Sequence, residues 1–311
     1  MPHFLIADSE LPHERAGRRK AAGKSAGESY AATLAQLAPD ARIAIAMPAD
    51  DYAQAYAPED LAGYDAVFVT GSPLHVYEDT PAVRRQIAFM GAVYASGTPS
   101  FGSCAGLQIA VVTAGGTVRK ITNPGEAGIA RRITPTAAGR DHPLLAGRPP
   151  SWDAPAVHGD EVDMLPPGAT LLAGNAATRV QALEIRHDGG VFWGVQYHPE
   201  LAPGEIAIAL RRQAADLIEK GFAKDEAAVE AFAERLNAVH EAPEDRAALW
   251  ALGVDASFAD QAQRRTELHN FIAALSALRR PLARDFAPPV HLCQGSRVDH
   301  APDGASVPLL S

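Results

Sequence analysis

The stretch Thr98-Pro99-Ser100-Phe101-Gly102-Ser103-Cys104-Ala105-Gly106-Leu107-Gln108 decides the fold. It reads as the end of a buried strand, a sharp turn and the start of a helix. Gly102, Cys104 and Gly106 give the pattern G-x-C-x-G, the thiol form of a nucleophile elbow. A nucleophile at the tip of a strand-to-helix turn is pushed clear of the sheet in a strained conformation. Its neighbours must be small, because strand and helix pass close together there. A helix beginning at Ala105 aims free N–H groups and the positive end of its dipole at the thiol, which favours thiolate and steadies a nearby oxyanion. The alternative is a structural cysteine, since free thiols are often simply buried.

A second anchor lies downstream. Val191 to Glu200 reads V-F-W-G-V-Q-Y-H-P-E, an apolar strand ending in His198, Pro199 and Glu200. Residues two apart on an extended chain face the same way, and Pro199 enforces extension. His198 and Glu200 are therefore expected in one site, the carboxylate orienting the imidazole and the imidazole serving the thiol.

Four ordered motifs across roughly residues 40–200 carry a resemblance to the class I, triad-type glutamine amidotransferases, and within them to the glutaminase domain of GMP synthetase. They are Thr70-Gly71-Ser72-Pro73, Gly102-Ser103-Cys104-Ala105-Gly106-Leu107-Gln108, His158-Gly159-Asp160-Glu161-Val162 and Gly194-Val195-Gln196-Tyr197-His198-Pro199-Glu200. The resemblance implies Cys104 as nucleophile, His198 as base and Glu200 as orienting acid. It implies an oxyanion hole from the main-chain N–H groups of Ser72 and Ala105, and substrate contacts at Gly71, Gln108, His158, Gly159 and Asp160. For Gln108 the alternative is a helix residue bonding a nearby loop. For His158-Gly159-Asp160 it is an Asx-type turn with His158 packed underneath. Two departures stand out: Gly71-Ser72-Pro73 replaces Gly-Gly-Pro, tolerable where the backbone donates, and Ala105 replaces an aromatic residue, leaving a roomier pocket.

The rest of the chain fits an α/β fold. Strands are expected at Phe4–Ala7, Arg42–Met47, Asp65–Thr70 and Thr98–Gly102. Helices are expected at Ser29–Leu37, Thr80–Ala95 and Ala105–Ala114, with a mobile loop over Leu11–Lys24. Such alternation predicts a mostly parallel open sheet with helices on both faces, flavodoxin-like in architecture, and sites beyond the strands' carboxyl ends. From Gly116 to Trp193, short β-like runs between turn residues predict mixed and antiparallel sheet closing over the elbow helix, with Asn123 to Ala127 either a flexible segment or a hairpin loop. The expected division is an amidotransferase-like domain over 1–203, a helical extension over 204–283 and a disordered or loosely attached tail over 284–311. In the extension, helices are expected at Pro203–Gly221, Asp225–His240, Pro243–Leu252 and Ser257–Arg280, packing on the core rather than on a partner.

The chain has 311 residues, 47% hydrophobic and 21% charged, as in soluble globular proteins. Its net charge of −9 argues against nucleic acid or an acidic membrane surface as partner. Met1–Asp8 lacks the pattern of a signal peptide, and no apolar run reaches membrane-spanning length. The two cysteines, Cys104 and Cys293, give no disulfide framework, which fits a reducing cytoplasm. No cofactor or metal is expected. His142, His158, His187 and His198 lack ligand spacing, and no phosphate-binding G-x-x-x-x-G-K-[ST] is present.

The favoured expectation is a glutaminase. It would hydrolyse the side-chain amide of L-glutamine through a γ-glutamyl thioester and supply ammonia to a synthetase on a separate chain. The alternatives are a stand-alone γ-glutamyl peptidase or hydrolase, and a non-catalytic regulatory protein on the same fold.

Overall fold

The computed structural model describes residues 1–121 and 125–279. The tail expected over 284–311 with Cys293, and Asn123 and Pro124 of the segment before Ala127, lie outside the described residues.

Eleven strands are described. They are β1 (His3–Ala7), β2 (Arg42–Ala46), β3 (Ala66–Val69), β4 (Ser100–Ser103), β5 (Thr117–Lys120), β6 (Glu126–Pro135), β7 (Trp152–His158), β8 (Asp160–Met164), β9 (Ala169–Gly174), β10 (Ala182–His187) and β11 (Gly190–Val195). Nine form one sheet in the order β2-β1-β3-β4-β11-β10-β9-β6-β7. Pairing is parallel from β2 through to β11 and antiparallel from β11 to β7. Every residue of β3 and β4 is buried, as short apolar runs are when both faces of a parallel sheet are covered. β11, also buried throughout, is the seam between the two halves.

The helix Ala105–Thr113 follows β4 directly and is buried from Ala105 to Val111. β5 and β8 pair as a separate antiparallel ribbon, and Val118 and Val162 on them join the core around Leu107 and Ile109. The ribbon thus closes over the elbow helix. β8 begins at Asp160, the last residue of the expected His158-Gly159-Asp160 turn.

The segment Leu11–Lys24, expected as a mobile loop, is instead a helix over Pro12–Ala22. Pro12 starts it, Glu14 accepts the Leu11 N–H at 2.7 Å, and Gly23 ends it at φ 76°. Its one buried side chain, Arg15, pairs with Asp50 at 2.6 Å. That tertiary partner leaves no trace in the local sequence pattern.

After Glu200 the chain is helical. Pro203–Gly221 divides at Gln213 into Pro203–Arg212 and Ala214–Glu219, and helices follow at Glu226–Glu241 and Arg246–Leu252. Ser257–Arg280, expected as one helix, forms three: Ala256–Ala259, Gln261–Arg264 and Thr266–Leu278. Asp260 breaks the first from the second by turning extended and accepting the Gln263 N–H at 2.8 Å. The last helix sets Phe271 against Phe68, Phe101 and Trp193, with ring centroids 5.5, 5.5 and 5.8 Å apart. Burying one such ring contributes roughly 1.5–3 kcal/mol. Residues 1–280 accordingly form one compact unit. Among the described residues, no helix is long and apolar enough to cross a membrane.

Candidate active site

β4 ends at Ser103, and Cys104 turns the chain into the helix with φ 52° and ψ −113°. A left-handed non-glycine residue of this kind costs on the order of 1–3 kcal/mol. The surroundings hold it there. The Cys104 N–H donates to the Val195 carbonyl at 2.9 Å. A Cβ on Gly102 would lie 2.8 Å from the Gly106 carbonyl carbon, and one on Gly106 would lie 2.3 Å from the Val69 carbonyl oxygen. The two glycines are thus what lets β4, β3 and the helix meet. Ala105 is the first residue of that helix, so its N–H has no intrahelical acceptor.

β11 lies beside β4, with Val195 in register with Ser103. Three residues beyond β11 comes His198, whose N–H donates to the Pro155 carbonyl at 2.8 Å. The Cys104 and His198 side chains therefore leave the carboxyl ends of neighbouring strands. The His198 Nδ1–H donates to Glu200 Oε1 at 2.7 Å, and both side chains are buried. Burial opposes charge on the imidazole. The Glu200 carboxylate and a hydrogen bond and negative charge at Cys104 outweigh it and push the His198 pKa up to about 10.

Glu200 is itself held. Ser103 Oγ donates to Glu200 Oε1 at 3.0 Å, Tyr30 OH lies 3.3 Å from Ser103 Oγ, and Thr33 Oγ1 donates to the Glu200 carbonyl at 3.3 Å. Sequence reading missed these three supports. Ser103 stood inside a motif beside Cys104 and could have been suspected. Tyr30 and Thr33, on the helix Ala26–Leu37, carried no signal beyond helical spacing.

Gly71, Ser72, Cys104, Gln108, His158, Gly159, Asp160, His198 and Glu200 all line one cavity of about 480 Å³; Ala105, next in the chain to Cys104, is not among its lining residues. Gly71 follows β3. A Cβ there would sit 2.7 Å from His198 Cε1 and 3.4 Å from Cys104 Cβ. Gly71→Ala is therefore expected to displace the imidazole and lower kcat about 10²-fold, the scale of a 1 Å misplacement. Thermal melts, read alongside kinetics, should show the loss in activity well ahead of any loss in fold. The Ser72 hydroxyl accepts the Leu74 N–H at 3.4 Å, turning its side chain back into its own loop.

The remaining expected residues are tied into the protein. Gln108 Nε2 donates to the Asp160 carbonyl and to Gln196 Oε1, both at 3.2 Å, which is the helix-to-loop bond of the alternative reading. His158 has Nδ1 3.0 Å from the Asp160 carbonyl and Nε2 2.9 Å from Glu126. Asp160 accepts from His75 Nδ1 at 2.5 Å and from Tyr77 OH at 3.2 Å. His75 and Tyr77, neither singled out in the sequence, thus clasp the loop after Gly71 to the turn at Asp160. Among the described residues, no group of His, Cys, Asp and Glu side chains is arranged to hold a metal ion.

The family model for class-I glutamine amidotransferases matches residues 23–215. A γ-glutamyl-L-1-hydroxyisopropylamide hydrolase from a Pseudomonas species is 39% identical over 221 residues, covering 70% of this chain and 74% of that protein. A glutamine-hydrolysing GMP synthase from Thermomicrobium roseum is 33% identical over 149 residues, which is 47% of this chain and only 25% of that protein. The match thus spans about a quarter of the synthase's length. A crystal structure of a glutamine amidotransferase from Thermotoga maritima shares the fold, with a TM-score of 0.60 at 16% identity over 88% of this chain and 97% of that one. With the elbow, the strand order and the motif positions all in place, the chain belongs to the class-I glutamine amidotransferase family, as a cysteine-dependent amide hydrolase of the glutamine amidotransferase and γ-glutamyl hydrolase type.

Proposed function

We propose that the chain hydrolyses γ-glutamyl amides larger than glutamine, with Cys104 as nucleophile, His198 as acid and base, and Glu200 as the carboxylate that orients His198. One observation carries the reading: a strained Cys104 at a helix start shares a cavity with the His198–Glu200 pair of the adjacent strand. The Cys104 sulfur attacks the γ-carbonyl carbon, and the N–H groups of Ser72 and Ala105 receive the oxyanion. The His198 imidazolium gives its proton to the departing amine. The neutral imidazole then takes a proton from the water that cleaves the thioester, releasing glutamate. The cavity volume and the 39%-identical hydrolase support a substrate with a bulky leaving amine.

The test is covalent labelling with a diazoketone glutamine analogue, mapped by peptide mass spectrometry, beside turnover of glutamine and a γ-glutamyl alkylamide with no partner added. One adduct at Cys104, blocked by the alkylamide, is the expected outcome. An unlabelled Cys104 sinks the reading. A second reading, a glutaminase handing ammonia to a synthetase on a separate chain, is favoured by the match to GMP synthase. Protection by glutamine, with turnover that appears only when a synthetase is added, would select it.

A pH dependence follows from His198. Its acid form persists through neutral pH and is lost as pH rises through about 10. Acylation, followed as single-turnover amine release, is therefore expected to hold up to that region and fall above it. Glu200→Gln removes the main charge that raises the value, so the fall should move to lower pH. The same raised value adds stability that is complete below about 6.5 and is lost as pH rises through the folded value.

A further inference from the structure

The cavity that holds the thiol is also lined by two guanidiniums, those of Arg18 and Arg212. A leaving amine takes its proton from His198, so it departs on the His198 side of Cys104. The part of the cavity lining that follows His198 in the chain includes the helix Pro203–Arg212, which begins three residues after Glu200. Ile206, Ala209 and Arg212 recur at intervals of three, share one face and all line the cavity. Six residues separate the first from the last, about 9 Å of helix. A departing group thus meets an apolar step and then a guanidinium.

The helix Pro12–Ala22 supplies a second guanidinium. Arg18 lines the same cavity, and its Nε is buried without an acceptor. Its nearest carboxylate, Glu10 Oε1, is 3.9 Å from Nη1, beyond hydrogen-bonding distance, and Glu10 Oε2 is occupied by the Ala26 N–H at 2.9 Å. Arg212 reaches over Gly17, where a Cβ would lie 3.4 Å from its Nη2. The carboxylates of Glu230 and Glu234 go to Arg211 instead, and Asp216, also on the cavity, pairs with Lys220 at 3.8 Å. In a chain of net charge −9, two guanidiniums line this cavity, and among the described residues neither is hydrogen-bonded to a carboxylate, which leaves donors free for an anion.

We propose that Arg18 and Arg212 form a subsite for a carboxylate carried by the leaving amine, which makes γ-glutamyl amino acids and short γ-glutamyl peptides the substrate class. This rests on the γ-glutamyl hydrolysis proposed above. The chemistry balances without a co-reactant. The C–S bond forms as the C–N bond breaks, the His198 proton leaves on the amine, and water replaces the sulfur to give glutamate and a free amino acid or peptide.

The experiment compares kcat/KM for γ-glutamylglycine and γ-glutamylethylamide in the wild type, Arg18→Gln and Arg212→Gln, with thermal melts alongside. The glycine compound should be favoured about tenfold or more by the wild type, through KM. In either variant the ratio should fall to about one. Arg212 is exposed, so its variant keeps the test open if Arg18→Gln melts early. Robust turnover of both compounds at a wild-type ratio near one overturns the subsite and leaves the hydrolase standing. A ratio unchanged in the variants does the same. So does an equal loss on both compounds, which would assign the guanidiniums to the glutamyl carboxylate. No turnover of either compound removes the hydrolase reading and the subsite together.

Discussion

Cys104→Ala is expected to lower kcat for a γ-glutamyl amide by ~10⁴-fold or more, the scale seen when a covalent nucleophile is deleted. Whatever rate is left would come from the oxyanion donors and from binding. The fold should survive the change. The main features that hold residue 104 in its left-handed conformation are its N–H bond to Val195 and the close passage allowed by Gly102 and Gly106. None of these involves the sulfur. Among the described residues, the thiol makes one hydrogen bond to the main chain, a long one of 4.0 Å to the Val157 carbonyl. A thermal melt close to wild type, together with retained substrate binding by calorimetry, would separate lost chemistry from lost structure. A variant that still turns over at more than a few per cent of the wild-type rate would remove Cys104 from the mechanism.

Glu267→Ala is expected to destabilise the protein by about 3–5 kcal/mol, because it strands a buried charge. Arg148 donates through Nε and Nη2 to the two Glu267 oxygens, both at 2.6 Å, and both side chains are almost fully buried. Burial works against the Arg148 charge, and the Glu267 carboxylate more than restores it. Tyr197 OH donates to the same carboxylate at 2.8 Å, so the substitution orphans a second buried donor. The loss should be read from the urea midpoint at unchanged slope. Tyr197 is the residue before His198, so activity should fall before global unfolding begins. Replacing both partners, as in Arg148→Met with Glu267→Leu, should recover much of the stability, since no charge is then left buried. A loss under about 1 kcal/mol in the single variant would mean that water reaches Arg148.

What could be read from the sequence follows from where each constraint lives. The elbow was legible because its glycines are required by close backbone contacts, Gly102 against Gly106 four residues on and Gly106 against Val69 of β3, and small residues at that spacing show in the sequence. His198 and Glu200 do share one site, but not by the expected extension: Pro199 and Glu200 form a turn, closed by the Leu201 N–H on the His198 carbonyl at 3.2 Å, and the two side chains meet across it. The helix Pro12–Ala22 was not legible, because its buried Arg15 finds Asp50 only in the folded chain. Its Gly17, which weakens a local helix reading, lies beneath the Arg212 guanidinium. The breaks at Gln213 and Asp260 were hidden because apolar spacing continues across them while the backbone turns. Gln108 and His158 stood at the right positions for the pocket, yet Gln108 Nε2 and both His158 ring nitrogens are bonded to the protein, and direction is the thing a motif does not encode.

The adjacency of β4 and β11 has a consequence for the order of synthesis. The Cys104 thiol is made early and the His198 imidazole late, and the two meet only when β11 completes the parallel ladder beside β4. Until then residue 104 has no Val195 carbonyl to hold it in a left-handed turn and no imidazole beside it. A half-made chain on the ribosome therefore carries an ordinary relaxed cysteine. Pairing strands so distant in the chain is slow, because a long loop must close first. Thiol reactivity is thus expected to rise only with the final closure of the sheet, which makes alkylation rate a clock for the last step of folding.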